Sequence, residues 1–393
     1  MKSKHMTTHA VHASARLPVS NDSESMPIYQ TSVFTFRDLT HLESYFEGQN
    51  DSYLYSRNGN PNTAAFEQAA AVLEGAEAGV ATSSGMAAIL CAILTFVKAG
   101  DHILCSDEIY GATASLLETE LTRLGTSITF ASFHSAASIE QAMTSATRLL
   151  LTEVITNPLI SVIDIPMVAD IAHRHGAKLV VDNTFTSPYV VQPLPMGADL
   201  VVHSATKYLN GHNDVTAGVV VGPSDIIEVT RQRMVLTGCS LGPFEAWLAQ
   251  RGMKTFALRM RQHLANAEKV AAYLDSHPAI QTVYHPSLLT HETAAVARRI
   301  GLHGSGAMMS FRVTDDIKKL DAFFHALQFI TIAPSLAGVA TTLSHPLKTS
   351  HRSLSKERQQ ALGISMGLLR LSVGIEEAED IIEDLEKGLH FLL

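Results

Sequence analysis

Lys207 follows an apolar run, DLVVHSAT at 199–206, which brings two hydroxyls, Ser204 and Thr206, and one amine to the same end of a strand-like segment. Such an amine can form an imine with a carbonyl if enough of it is unprotonated, which requires a pocket of low dielectric or a neighbouring cation. Taken singly, a lysine is far more often a solvated surface charge. A second run, KLVVDN at 178–183, ends with Asp182. A carboxylate there suits a metal ion, a ribose hydroxyl, a salt bridge or the protonated nitrogen of a pyridine ring, and alone it does not choose among them. The third feature is Ser83-Ser84-Gly85-Met86 ahead of the apolar stretch MAAILCAILTFV. This is a strand-to-helix turn whose free N–H groups favour a phosphate; its plainer reading is an N-cap by Ser84. Amine, acid and phosphate cradle together are what a phosphorylated electron-sink cofactor needs.

Positioning these residues takes a sheet. Seven short apolar runs begin near residues 79, 102, 127, 148, 178, 199 and 218, with helix-length segments between them. Most are β-rich and apolar on both faces, which predicts a mainly parallel sheet covered by helices on both sides, with its ligands outside the carboxyl ends of the strands. A helix over TAAFEQAAAVLEG stops at Gly75, and residues 225–275 read as helical, long enough to leave one domain and start another. The strand candidates AMMSFRV (307–313) and LLRLSV (368–373), set among helices, predict a smaller α+β domain. Residues 1 to about 60 are polar, short on helical periodicity and bounded by the turn formers Asn58, Gly59, Asn60 and Pro61. They read as an extended arm that needs a partner surface. The expected division is an arm over 1–60, a cofactor-binding domain over 61–250 and an α+β domain over 251–393.

Hydrophobic residues make up 46% and charged residues 17% of the 393, and the net charge of −9 is spread without a basic or acidic tail. That is a globular composition, and nothing in it points to nucleic acid. Cys91, Cys105 and Cys239 are far apart, without metal or disulfide spacing, and read as reduced core residues. The basic N-terminal residues precede no apolar signal core, and no run approaches a membrane span, so the expected location is the cytoplasm. His5, His9 and His12, like His203 and His212, lack a convergent carboxylate, so no metal is expected. Trp247 and the methionine-bearing helix around it read as core.

Six segments carry a family resemblance: YSRNGNPN (55–62), ATSSGMAAI (81–89), DEIYGAT (107–113), VVDNTFTSPY (180–189), GADLVVHSATKYLNGHNDVTAGVV (197–220) and LLRLSVGIE (368–376). In that order they resemble the transsulfuration, or Cys/Met-metabolism, family of pyridoxal-phosphate enzymes, from about Pro27 to the C-terminus. The resemblance implies an α/β, aspartate-aminotransferase-like fold of type I, with a seven-stranded, mainly parallel sheet domain. It implies that Lys207 is the Schiff-base lysine and that Asp182 pairs with the pyridinium nitrogen. Ser204 and Thr206 would join Ser84, Gly85 and Met86 around the phosphate, with Tyr110 stacked on the ring. Tyr55 and Arg57 would reach the phosphate of a neighbouring subunit in a homo-oligomer, expected to be a homotetramer of dimers with shared sites. Arg370 would clamp the substrate carboxylate with help from Ser335 and Asn157.

The same resemblance implies an amino-acid substrate and a lyase that performs γ-elimination, with Lys207 moving the α-proton and Tyr110 assisting loss of the γ-group. The alternatives are γ-replacement on an activated homoserine ester and β-elimination of cystathionine or cysteine. Cystathionine-handling members usually carry Glu-Ser-Leu-Gly-Gly and a further Glu, where this chain has Pro334-Ser335-Leu336-Ala337-Gly338-Val339-Ala340. Methionine γ-lyases usually carry Cys where this chain has Ala112. A non-catalytic cofactor-binding protein is the alternative from another class, and a spectral response to added amino acids separates the two.

Overall fold

The computed structural model describes residues 23–352 and 356–393. The histidines at 5, 9 and 12 lie outside the described residues. All seven expected runs form strands of one sheet: β1 (Ala78–Thr82), β2 (His102–Ser106), β3 (Ser127–Ala131), β4 (Thr147–Glu153), β5 (Lys178–Asp182), β6 (Leu200–His203) and β7 (Gly218–Gly222). Their order across the sheet is β1-β7-β6-β5-β4-β2-β3. Only β7 runs against its neighbours; β6, β5, β4, β2 and β3 pair in parallel.

Both faces are covered, as the two-sided apolar pattern requires. Leu179 and Val181 of β5 join one buried cluster, while Val180 between them joins another, and all three are fully buried. Fully burying an aliphatic side chain of this kind stabilises by about 1.5–3 kcal/mol, so the central strands are the rigid base of the molecule. The first cluster continues through the helix Phe256–Ser276 into a second sheet. That sheet contains β8 (Thr282–Tyr284), β9 (Met308–Arg312), β10 (Thr331–Ile332), β11 (Thr342–Ser344) and β12 (Leu368–Ser372), in the order β10-β11-β12-β9-β8. The runs AMMSFRV and LLRLSV are its β9 and β12. β8, β10 and β11, at two or three residues each, are too short to show a period.

Three local readings differ from expectation. The stretch 225–275 is three helices, Ser224–Thr237, Pro243–Met253 and Phe256–Ser276, because Gly238 ends the first in the left-handed region at φ 75. Within the segment expected to be extended, Leu39–Phe46 is a helix whose N-cap Asp38 accepts the His41 N–H at 2.8 Å. It buries none of its residues fully; the half-buried His41 and Tyr45 pack on Phe36. Trp247 is half-buried rather than core: its ring stacks on Phe244 at 6.5 Å, and its indole N–H donates to the Met26 carbonyl at 2.9 Å.

Candidate active site

The carboxyl ends of β1, β4, β5 and β6 open onto one cavity of about 580 Å³, closed from the other side by residues around β10–β12. Ser84, Gly85, Met86, Tyr110, Asn157, Asp182, Ser204, Thr206, Lys207 and Arg370 all line it. Ser335 joins them through its hydroxyl, which accepts a hydrogen bond from Lys207 Nζ at 3.2 Å. Ten dispersed residues and one loop serine are therefore brought together, those after β1, β5 and β6 as the strand-end rule expects and Tyr110, Asn157, Ser335 and Arg370 as the family resemblance implies.

Backbone geometry holds the parts in place. Ser84 caps the helix Gly85–Phe96, its Oγ accepting the Ala87 N–H at 3.1 Å, so its hydroxyl does serve as an N-cap. The first N–H groups of that helix remain as an anion-binding end. A Cβ on Gly85 would lie 2.6 Å from the Ser204 Cβ, so only glycine lets the helix end approach the Ser204–Thr206 turn. Thr206 is fixed in turn by Ala217, whose N–H donates to its Oγ1 at 3.0 Å. Gly111 permits a second close approach, since a Cβ there would lie 2.7 Å from the Ser350 carbonyl. The segment Lys348–Ser350 thereby reaches the cavity mouth beside Tyr110.

Arg370 lies on β12 between Leu369 and Leu371, which are core residues, and strand alternation turns it to the opposite face. Its Nη1 donates to Asn157 Oδ1 at 2.8 Å, its guanidinium carbon stands 5.9 Å from the Phe185 ring centroid, and its Nε is buried without a partner. Burial pushes its pKa down to about 10. Burial, and then the charge of Arg370, also lowers the pKa of Lys207, which raises the fraction of free amine there. The pKa of Asp182 is pushed up by burial and held back by Thr184, first through its side chain and then through its N–H, which donates to Oδ1 at 3.0 Å.

Tyr55 and Arg57 stand apart. Tyr55 is 43% exposed, the Arg57 guanidinium lies 5.6 Å over its ring, and neither lines the cavity. The sequence reading missed Glu153, which ends β4 and lines the cavity. The rule that selected Asp182, a polar residue ending an apolar run, selects Glu153 equally. It also missed Phe185 and the Lys348–Ser350 segment, for which no periodicity or strand-end position gives a signal. His203 faces a structural partner, Glu74 Oε2, at 2.9 Å, and among the described residues no three metal-ligating side chains cluster.

The residues fit pyridoxal phosphate. The N-terminus of the helix Gly85–Phe96, with the hydroxyl residues Ser204 and Thr206, suits the phosphate, a half-buried acid terminates β5, a half-buried amine ends the next segment, and two cavity-lining residues, Arg370 and Glu153, each carry a buried polar atom without a partner.

Comparison with known proteins agrees with this geometry. The family model for Cys/Met metabolism PLP-dependent enzymes matches residues 7–390. The chain is 42% identical over 389 residues to the L-methionine gamma-lyase of Porphyromonas gingivalis, covering 98% of this chain and 97% of that protein. It is 43% identical over 366 residues to the cystathionine gamma-lyase of Bacillus subtilis, covering 93% and 94%. The solved structure of cystathionine gamma synthase from Xanthomonas oryzae pv. oryzae, in complex with aminoacrylate and cysteine, matches with a TM-score of 0.89 at 37% identity, covering 94% of this chain and 93% of that one.

Proposed function

Since the chain belongs to the Cys/Met metabolism PLP-dependent enzymes, we propose that it is a carbon–sulfur lyase that eliminates the γ-substituent of a sulfur-type L-amino acid, giving a 2-oxo acid and ammonia. The observation that carries this reading is the pairing, in one cavity, of a half-buried Lys207 amine of lowered pKa with the Asn157–Arg370 couple. Lys207 can move a proton at a substrate's α-carbon while Arg370 holds that substrate's carboxylate.

Bound there, pyridoxal phosphate supplies the electron sink for the pair left when the α-C–H bond breaks. Lys207 anchors it and carries the proton. Asp182 keeps the ring nitrogen protonated. Gly85, Met86, Ser84, Ser204 and Thr206 hold the phosphate, through backbone N–H groups at the helix end and through hydroxyls. Tyr110, which lines the cavity, would stack on the ring and assist departure of the γ-group. Ser335 and Asn157 orient the Lys207 amine and the Arg370 fork respectively. Tyr55 and Arg57 complete the phosphate site of a neighbouring subunit, so the working unit is a dimer, assembled as a homotetramer. Cys91, Cys105 and Cys239 are joined in no disulfide, which supports a reducing, cytoplasmic setting. Among the described residues no helix is long and apolar enough to cross a membrane.

The test is a panel of γ-substituted amino acids scored for 2-oxobutanoate. Release from methionine or homocysteine without a second substrate supports γ-elimination. Pyruvate from cysteine or cystathionine alone would replace it with β-elimination, and product formed only from an activated homoserine ester plus a thiol would replace it with γ-replacement.

A further inference from the structure

Glu153 and Asp182 are register partners on the adjacent parallel strands β4 and β5, and both line the cavity. The Glu153 residue is 6% exposed. Its Oε1 accepts the Tyr110 N–H at 2.9 Å, while Oε2 is buried without a partner. Two carboxylates so placed oppose each other's ionisation, and the one with better donors keeps the charge more readily. Asp182 has the Thr184 donors. Glu153 has one backbone N–H, and burial, followed by the charge of Asp182, raises its pKa well above the ordinary range. Two other charged groups act on it: Glu108, held by Thr156 and His134, opposes ionisation, and Arg370 favours it.

We infer that Glu153 stands in this site as a neutral acid and a positioning residue: one oxygen fixes Tyr110, the other, buried and unpartnered, keeps its proton, and Asp182 is left as the ionised member of the pair. The unpartnered Oε2 is then a hydroxyl donor for whatever acceptor enters, the polar edge of the cofactor ring being the group of fitting chemistry. A neutral Glu153 also spares the electron sink a second negative charge that would oppose delocalisation into the ring. This inference rests on the cavity being a pyridoxal-phosphate site.

The experiment follows the visible absorbance of protein reconstituted with pyridoxal phosphate across pH, for wild type, Glu153→Gln and Glu153→Leu. Glutamine copies a neutral carboxyl and can still accept the Tyr110 N–H. Its midpoint for the proton on the Lys207 nitrogen should therefore match wild type. A midpoint lowered by about one unit or more would show that an ionised Glu153 had been stabilising that proton, and would overturn the neutral assignment. Leucine fills similar space without an acceptor, so kcat for methionine should fall about tenfold with KM little changed, while Glu153→Gln retains it. Equal kcat in Glu153→Leu and wild type would overturn the positioning role. Should the leucine protein not fold, Glu153→Asp, which withdraws the carboxyl from Tyr110, takes its place with the same expected loss. A wild type that binds no cofactor would instead sink the underlying reading of the site.

Discussion

Lys207 Nζ and Ser335 Oγ lie 3.2 Å apart, joining the end of the large sheet to the loop that follows β10 of the small one. The amine is thus held by a hydroxyl from a distant part of the chain, in a space where burial and Arg370 both disfavour its ammonium form.

That field makes a pH prediction. Cofactor capture requires the neutral amine, so its rate should rise with pH and level off below the ordinary lysine value of 10.5. Arg370→Met removes a cation that disfavours the ammonium ion, so the midpoint should move to higher pH. Stopped-flow growth of the visible band in cofactor-free protein measures both curves. A midpoint that stays put or falls in Arg370→Met would show that Arg370 does not set the state of Lys207.

Lys207→Ala should retain the fold, purify without the visible band and lose turnover by about a thousandfold or more, since it lacks both the anchor and the proton carrier. Activity above about a hundredth of wild type would remove Lys207 from its proposed role.

The exposed pair Tyr55 and Arg57 predicts shared sites. Arg57→Ala and Lys207→Ala should each be nearly inactive, yet mixing them should restore activity, because a hybrid dimer has one site with both lesions and one with neither. Random exchange gives up to about a quarter of wild-type turnover. The check is activity after subunit exchange has been demonstrated by mass; no recovery would leave Arg57 serving its own chain.

Pro334 lines the cavity beside Ser335 and presents neither charge nor backbone donor. Pro334→Glu should raise turnover of cystathionine relative to methionine by up to about tenfold, the value of a partly solvated charge pair. If Pro334 only shapes the loop, kcat/KM falls for both substrates alike, and the ratio between them stays constant.

Much of the sheet and most of the site were legible along the chain for one reason. A buried parallel strand needs apolar residues on both faces, so the polar residue that ends such a run stands out, as Asp182 and Lys207 do. Glu153 was equally visible by that rule. The sequence by itself determined that the seven strands of the large sheet and β9 and β12 would form, which ends would carry polar groups and where the helix N-terminus at Gly85 would begin, because these are set by local pattern and steric freedom. Only tertiary structure decided that Ser335 would reach Lys207, that Ser350 would close on Gly111 and that Arg370 would share Asn157 across 213 positions of chain. It alone decided, too, that Glu153 and Asp182 would stand side by side, since strand order places them there and burial then makes one of the two hold a proton. Such pairings depend on distance and dielectric in the folded state, neither of which is written in the spacing of residues along the chain.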